Sequence, residues 1–311
     1  MERRRRDISA LLATPAMRPI SNRVGARRFV RDAQPHSGHA RGMFREMIRS
    51  FRAEAPRWAR QLDLVYEHAA IAGRHRRVRA AWAPHLATSR EIILEAAARL
   101  PAGGRVLVIG AGDCLDVPVV ELAGRSAAVV LADVVISPVA RALARRHRGV
   151  VRCVTWDATG ALEKLAAVRE TVVSAGARRI FEEADPGPPP GGEPDLVISA
   201  NCLSQLGLVP GHALPAARVD ESLPDRCGTV AAKKHLRWLG ERSAAIRVLL
   251  ADTARLDLGP DGRELKRENL LGRLPLRRPD RAWRWNLAPI PEYSRTVARV
   301  HEVGAWIDFP R

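Results

Sequence analysis

With 311 residues, 46% of them hydrophobic and 27% charged, the chain has enough apolar side chains for a large core, which excludes disorder throughout and bounds it to one or two domains. No apolar run approaches the ~20 residues a membrane-spanning helix needs, and the N-terminus has no hydrophobic signal region, so the expectation is a soluble, cytoplasmic protein with no membrane partner. The net charge of +17 points toward nucleic acid, but Lys occurs only at Lys164, Lys233, Lys234 and Lys266 and every other basic residue is Arg; with abundant Ala and Gly, that skew reads as the codon bias of a GC-rich genome.

Residues 1–38 begin "MERRRR" and continue with scattered Arg, Pro, Ser and Gly without periodicity, the pattern of a flexible Arg-rich arm through which RNA is a possible partner. An organelle-targeting peptide shares the same composition. Over 39–100 apolar residues recur at helical spacing, first Met43, Met47, Ile48 and Phe51, then Leu62, Val65, Tyr66 and Ala69, which predicts an all-helical extension. Its last helix is expected in "TSREIILEAAARLP", with Thr88 and Glu91 as a capping box and Pro101 as the stop. Trp82 and His85 in "WAPHL" lie on this extension, where Trp82 reads as a hydrophobic anchor against the neighbouring domain.

From residue 101 the pattern changes to short apolar runs separated by helical segments. "RVLVIG", "AAVVLAD", "VVRCVTWD", "PDLVISAN" and "IRVLLADT" predict a mostly parallel sheet with helices on both faces. Ser137 followed by Pro138 starts a helix over "SPVARALARRH" by N-cap and N1 preference. "DPGPPPGGEP" at 185–194 is a surface loop, 259–280 reads as a polar connection, and "RAWRWNLAPI" and "SRTVARVHEVGAWID" predict an antiparallel pair at the sheet edge. The fold class expected is therefore α/β, a Rossmann-like open twisted sheet with an antiparallel C-terminal strand, preceded by the helical extension.

In such sheets a ligand lies beyond the carboxyl ends of the strands, where the strand order reverses. Gly110, Ala111 and Gly112, directly after the first strand, form the loop that meets it, since glycine permits backbone conformations and approaches that a side chain blocks. The dinucleotide fingerprint G-x-G-x-x-G finds Leu115 at its third glycine, and the looser G-x-G-x-G finds Cys114, so the loop alone does not name the cofactor. Asp133, ending the second strand, suits a ribose diol in either class of cofactor. Cys114, Cys153 and Cys202 fall near strand ends and Cys227 lies further on; without a Cys-x-x-Cys pair they read as small buried side chains in a reduced compartment, and no metal is expected from them or from Asp195 and Asp252.

The motifs "VLVIGAGDC", "LADVVISPVARALAR", "VTWDATG" and "PDLVISANCLSQL", in this order and spacing over about 105–308, resemble the class I S-adenosylmethionine-dependent methyltransferase family, and the last strand "ARVHEVGAWID" is similar to that family's antiparallel one. The resemblance implies that 101–311 is an S-adenosylmethionine-binding domain. Gly110, Ala111 and Gly112 then meet the cofactor, Asp133 its ribose, and Asp157 the adenine amino group, with Trp156 beside the adenine or in the core. It also implies that the helical extension folds over the cofactor and builds the acceptor pocket, which is the other reading of Trp82. The chain departs from the family pattern at Cys114, in two extra residues between Asp133 and Ser137, and in a long segment between the third and fourth strands.

Asn201, at the exit of the fourth strand, is a candidate for contacting cofactor or acceptor, or for capping the next helix. His212 and His235 are candidate bases for an acceptor. "SANCLSQL" is not the motif of the amino methylases of nucleic-acid bases, so a small-molecule acceptor is expected. The other readings are a methyltransferase-like RNA-binding or scaffold protein, and an NAD(P)-dependent oxidoreductase, for which no Tyr-x-x-x-Lys pattern is evident.

Overall fold

The computed structural model describes residues 52–209, 214, 220, 222–272 and 274–309. The Arg-rich arm, the helix expected around Met43 to Phe51, and His212 lie outside the described residues. Three helices come first: α1 (Arg57–Gln61), α2 (Leu64–Arg77) and α3 (Arg79–Ala97). Leu62, between α1 and α2, and Val65 and Ala69 of α2 are buried as the periodicity predicts, but Tyr66 is exposed at the rim of the stripe. The capping box expected at Thr88 is not there. α3 begins at Arg79 and runs through Pro84, and the Thr88 hydroxyl donates to the Pro84 carbonyl one turn back, at 3.0 Å. A serine or threonine hydroxyl satisfied by its own helix has no need of an N-cap position.

The strands and crossovers continue as β1 (Arg105–Ile109), α4 (Val119–Ala123), β2 (Ala128–Asp133), α5 (Pro138–Arg146), β3 (Val151–Thr155), α6 (Leu162–Val168), α7 (Ser174–Glu183), β4 (Leu196–Ala200), α8 (Leu223–Gly240) and β5 (Ile246–Leu258). The Ser137 side chain accepts from Ala140 N–H at 3.0 Å, with Pro138 at the first helical position, so α5 starts where its signals put it. The long segment between β3 and β4 holds α6 and α7, and 185–194 is loop.

Strand order is β3-β2-β1-β4-β5-β8-β7, with β7 (Arg281–Ala288) and β8 (Ala298–Ile307) closing one edge. The first five strands pair in parallel, and β8 enters antiparallel between β5 and β7. β1 and β4 read as unbroken apolar runs because both faces of the sheet are covered. On one face Val106, Val108, Leu196, Ile198 and Leu250 meet Ile92 and Ile93 of α3. On the other, Leu107, Ile109, Val197 and Leu249 meet Leu236, Trp238 and Leu239 of α8.

The polar connection expected over 259–280 contains a strand. β5 extends well past Thr253, turns at 259–262, and returns as β6 (Glu264–Asn269), antiparallel to it. β6 is exposed along nearly its whole length, so it has no buried face to impose alternation and its sequence, ELKREN, carries none. Among the described residues no helix is long and apolar enough to cross a membrane.

Candidate functional site

The chain runs outward from β1 to β2 and β3 and then crosses back past β1 to β4 and β5, so the strand order reverses and the crevice lies above the ends of β1 and β4. The loop after Ile109 is pinned across it: Gly110 N–H donates to Ala132 O at 3.0 Å, and Ala111 is buried. Gly110 has φ 75°, and a Cβ there would stand 2.8 Å from Cys202 Cβ and 2.9 Å from Ala200 O, so only glycine lets β4's exit come this close. Gly112, at φ 51°, faces the reverse situation, with nothing within 4 Å of where a Cβ would be. One glycine is required by packing, and the other borders open space.

Cys114 takes φ 54° and closes the turn by donating its N–H to Ala111 O at 2.7 Å. The position that a G-x-G-x-G pattern fills with glycine therefore keeps the left-handed backbone here with a cysteine in it. Burial pushes the Cys114 and Cys153 thiols up, and that of Cys202 up to about 12, so these are packing groups and not thiolates.

Asp133 ties the loop to β2. Its Oδ2 accepts from Gly112 N–H at 2.8 Å and its Oδ1 from Val135 N–H at 3.2 Å. Asp157 is held by its own turn: Oδ1 accepts from the N–H and the hydroxyl of Thr159, at 2.8 and 2.7 Å, and Oδ2 from Leu162 N–H at 2.8 Å at the start of α6. A carboxylate oxygen can accept twice, so Oδ2 keeps a site for one more donor. Trp156 donates to Pro186 O at 3.0 Å and tilts against Trp238, 5.2 Å away, on the α8 side of the sheet.

Asn201 adopts φ 51°, its N–H reaching Leu250 O and its amide donating to Asp116 Oδ2 at 2.7 Å, while its Oδ1 is enclosed without a partner. His235 is not at this crevice. It sits inside the α8 face, its Nε2 2.9 Å from Ser199 Oγ, one layer below the strand ends, and burial lowers its pKa to about 4. Asp195 lies at the opposite end of β4 from the crevice, accepting Arg105 N–H at 2.8 Å, which keeps it well away from Asp252.

The helical extension closes over this region. Glu54 and Ile136 exchange backbone hydrogen bonds beyond β2, and His68 of α2 lies 3.3 Å from Asp113 of the glycine loop. Trp82 donates to Leu287 O at 2.8 Å and meets Trp285 edge-on at 4.7 Å, docking α3 on β7 as an anchor does. His85 accepts from Trp283 Nε1 at 3.1 Å and stacks on Trp285 with ring centroids 4.1 Å apart.

Next to that stack, Asp252 of β5 and His301 of β8 meet at 2.9 Å, both buried. Sequence reasoning gave this pair no role, because residues so far apart meet only through antiparallel pairing; Asp116 and His68 were missed for the same lack of a local signal. Unpartnered atoms here are His301 Nε2, Asp252 Oδ1, Trp285 Nε1 and Asn201 Oδ1, and His301 Nδ1, though close to Asp252, is not aligned for a hydrogen bond. Each costs about 1–3 kcal/mol when left dry.

No family model matches the chain, and no curated protein matches it. Among solved structures the chain is similar to a Burkholderia thailandensis 1,6-didemethyltoxoflavin-N1-methyltransferase with bound 1,6-didemethyltoxoflavin and S-adenosylhomocysteine, at 17% identity over 77% of this chain and 89% of that chain, with a TM-score of 0.31. A likeness of that size bears on neither the activity nor the cofactor of this chain, for which its own residues are the guide.

Proposed function

We propose that the chain is an S-adenosylmethionine-dependent methyltransferase acting on a small-molecule acceptor. The observation that carries this reading is the sheet itself: a strand order of β3-β2-β1-β4-β5 continued by an antiparallel β8, with the glycine loop, Asp133 and Asn201 gathered at the point where the order reverses. A dinucleotide fold continues in parallel beyond its switch point. The reading also draws on the resemblance of the four motifs.

The residues fit the cofactor. In support of this, the space beside Gly112 admits backbone approach, and Asp133 Oδ2 and Asp157 Oδ2, each accepting one backbone N–H, keep capacity for a hydroxyl and an amino donor. When bound, S-adenosylmethionine supplies a methyl group on a sulfonium. This chain contributes alignment and exclusion of water, through the extension that α2 and α3 lay over the crevice, and these are the effects on which such a displacement depends.

The test uses S-adenosylhomocysteine and an analogue lacking the adenine amino group, titrated into the wild type, Asp133→Ala and Asp157→Ala. Loss of a hydrogen bond to a charged acceptor predicts that Asp157→Ala weakens the complete ligand about 10- to 150-fold. The trimmed ligand should cost the wild type and Asp133→Ala affinity in full and cost Asp157→Ala little. If both variants respond alike to trimming, Asp157 is not the adenine partner.

A further inference from the structure

We propose that the buried cluster around His301 is the acceptor pocket, that it takes a neutral aromatic ring bearing an O–H or N–H donor, and that His301 Nε2 receives the donor's proton; this rests on the methyltransferase reading. The cluster is continuous with the cofactor crevice. Asn201 follows β4 and bonds Asp116 of the glycine segment, Asn201 N–H reaches β5 two residues before Asp252, and Asp252 meets His301. The His301 ring meets Trp285 edge-on at 5.8 Å, and Trp285 stacks on His85 of the extension, so the site is complete only with α3 in place.

The chemistry of the unpartnered atoms selects the ligand. His301 Nε2, Asp252 Oδ1 and Asn201 Oδ1 are acceptors, and Trp285 Nε1 and His301 Nδ1 are the donors, three against two. What satisfies them brings more donors than acceptors. The carboxylates of Asp252 and Asp116 disfavour an anion, and the indole and imidazole rings favour a flat aromatic body. His301 and Asp252 are more than nine-tenths buried, so bulk water does not serve them.

The Asp252 carboxylate, 2.9 Å from Nδ1 but not aligned as a hydrogen bond, favours by its charge the tautomer with the proton on Nδ1 and the lone pair on Nε2. As the acceptor's oxygen or nitrogen spends its own electron pair on the methyl carbon, and the pair of the broken carbon–sulfur bond stays on sulfur, the acceptor's proton passes to Nε2. Asp252 is the positioning residue and carries the adjacent negative charge.

The recess of about 390 Å3 lined by Thr253, Asn269, Leu271, Arg277, Glu302 and Trp306 is no competitor for this role. Glu302 and Trp306 alternate with His301 along β8 and so open on its other face.

Phenol, toluene and benzoate are the probes, titrated into the full chain saturated with S-adenosylhomocysteine and followed by tryptophan fluorescence. Phenol should bind about tenfold tighter than toluene, the size of one hydrogen bond, and benzoate weakest. His301→Phe should erase the preference for phenol. Nitrogen-15 spectra of the wild-type imidazoles, with His301 assigned through His301→Gln, should show the proton of the neutral ring on Nδ1, and Asp252→Asn should shift that tautomer balance.

Equal binding of phenol and toluene, binding of neither, or a neutral ring with its proton on Nε2 overturns the proposal, the last without reliance on any variant's folding. S-adenosylhomocysteine binding is read separately by calorimetry. If that ligand binds and phenol is not preferred, this pocket is wrong while the cofactor reading stands; if it does not bind while phenol is preferred in its absence, the cofactor reading fails and takes the acceptor role with it, leaving a phenol-binding site of another purpose.

Discussion

The hydrogen bond from Gly112 N–H to Asp133 Oδ2 fixes the loop at the mouth of the crevice, and the open space beside Gly112 is what a ligand needs there. Gly112→Val fills that space and forces a branched residue to φ 51°, at a cost of about 1–2 kcal/mol. The variant should fold with a modestly lower melting temperature and should not bind S-adenosylhomocysteine in a calorimeter; a folded variant with unchanged affinity would remove this loop from the site. Asp157 has a structural duty as well, since three local donors depend on it at the start of α6. Asp157→Ala should therefore lower unfolding free energy by about 2 kcal/mol in urea titrations, with Asp157→Asn recovering part of it. The place of Asp157 just beyond the third strand is legible in the sequence. The cap is not, because the Asp-x-Thr turn is local geometry that an adenine-binding motif and a helix start share.

At the scale of elements, α3 is held to β7 by Trp82, buried, bonded to Leu287 O, and packed against Trp285. Trp82→Ala should cost about 3–5 kcal/mol by calorimetric unfolding, the range for deleting a large buried aromatic, and Trp82→Phe much less. The docking of α8 is pH-dependent through His235. Its pKa falls from 6.5 to about 4 on folding because burial disfavours the charged imidazole. The stability this implies is present in full above about pH 6.5 and is lost as pH falls toward 4, where the unfolded chain takes up the proton first; the span is on the order of 3 kcal/mol. His235→Gln, measured by urea midpoints at about pH 7 and about pH 4.5, should flatten that dependence.

The elements legible in the sequence were those with a buried stripe or an unambiguous cap. β1 to β5, α5 behind Ser137, and the β7 and β8 pair all carry such signals. β6 carries none because it is solvated on both sides, and the start of α3 was misplaced because Pro84 lies within the helix while Thr88 satisfies its hydroxyl one turn back. The glycine loop, Asp133 and Asn201 were readable because each sits at a strand end. The His301 and Asp252 pair was not, because only the register of β5 against β8 brings them together.

For the whole molecule, the sheet with its reversed last strand and the extension laid over the strand ends bring Asp133, Asn201 and the Asp252–His301 pair toward one end of the sheet, the arrangement on which the proposed site rests. The residues that build it begin at the helical extension, so removing residues 1–38 should leave cofactor affinity unchanged and shift the melting temperature by less than about 5 °C; a larger drop shows that the arm contributes to the fold. If the basic arm instead serves RNA, the full chain should bind RNA with an affinity that falls steeply with salt and should bind no cofactor. The most direct test of the central claim is calorimetric titration of the full chain with S-adenosylhomocysteine and with NAD in parallel. Saturable binding of S-adenosylhomocysteine with no heat from NAD is the predicted result, and binding of NAD alone, or of neither, contradicts it.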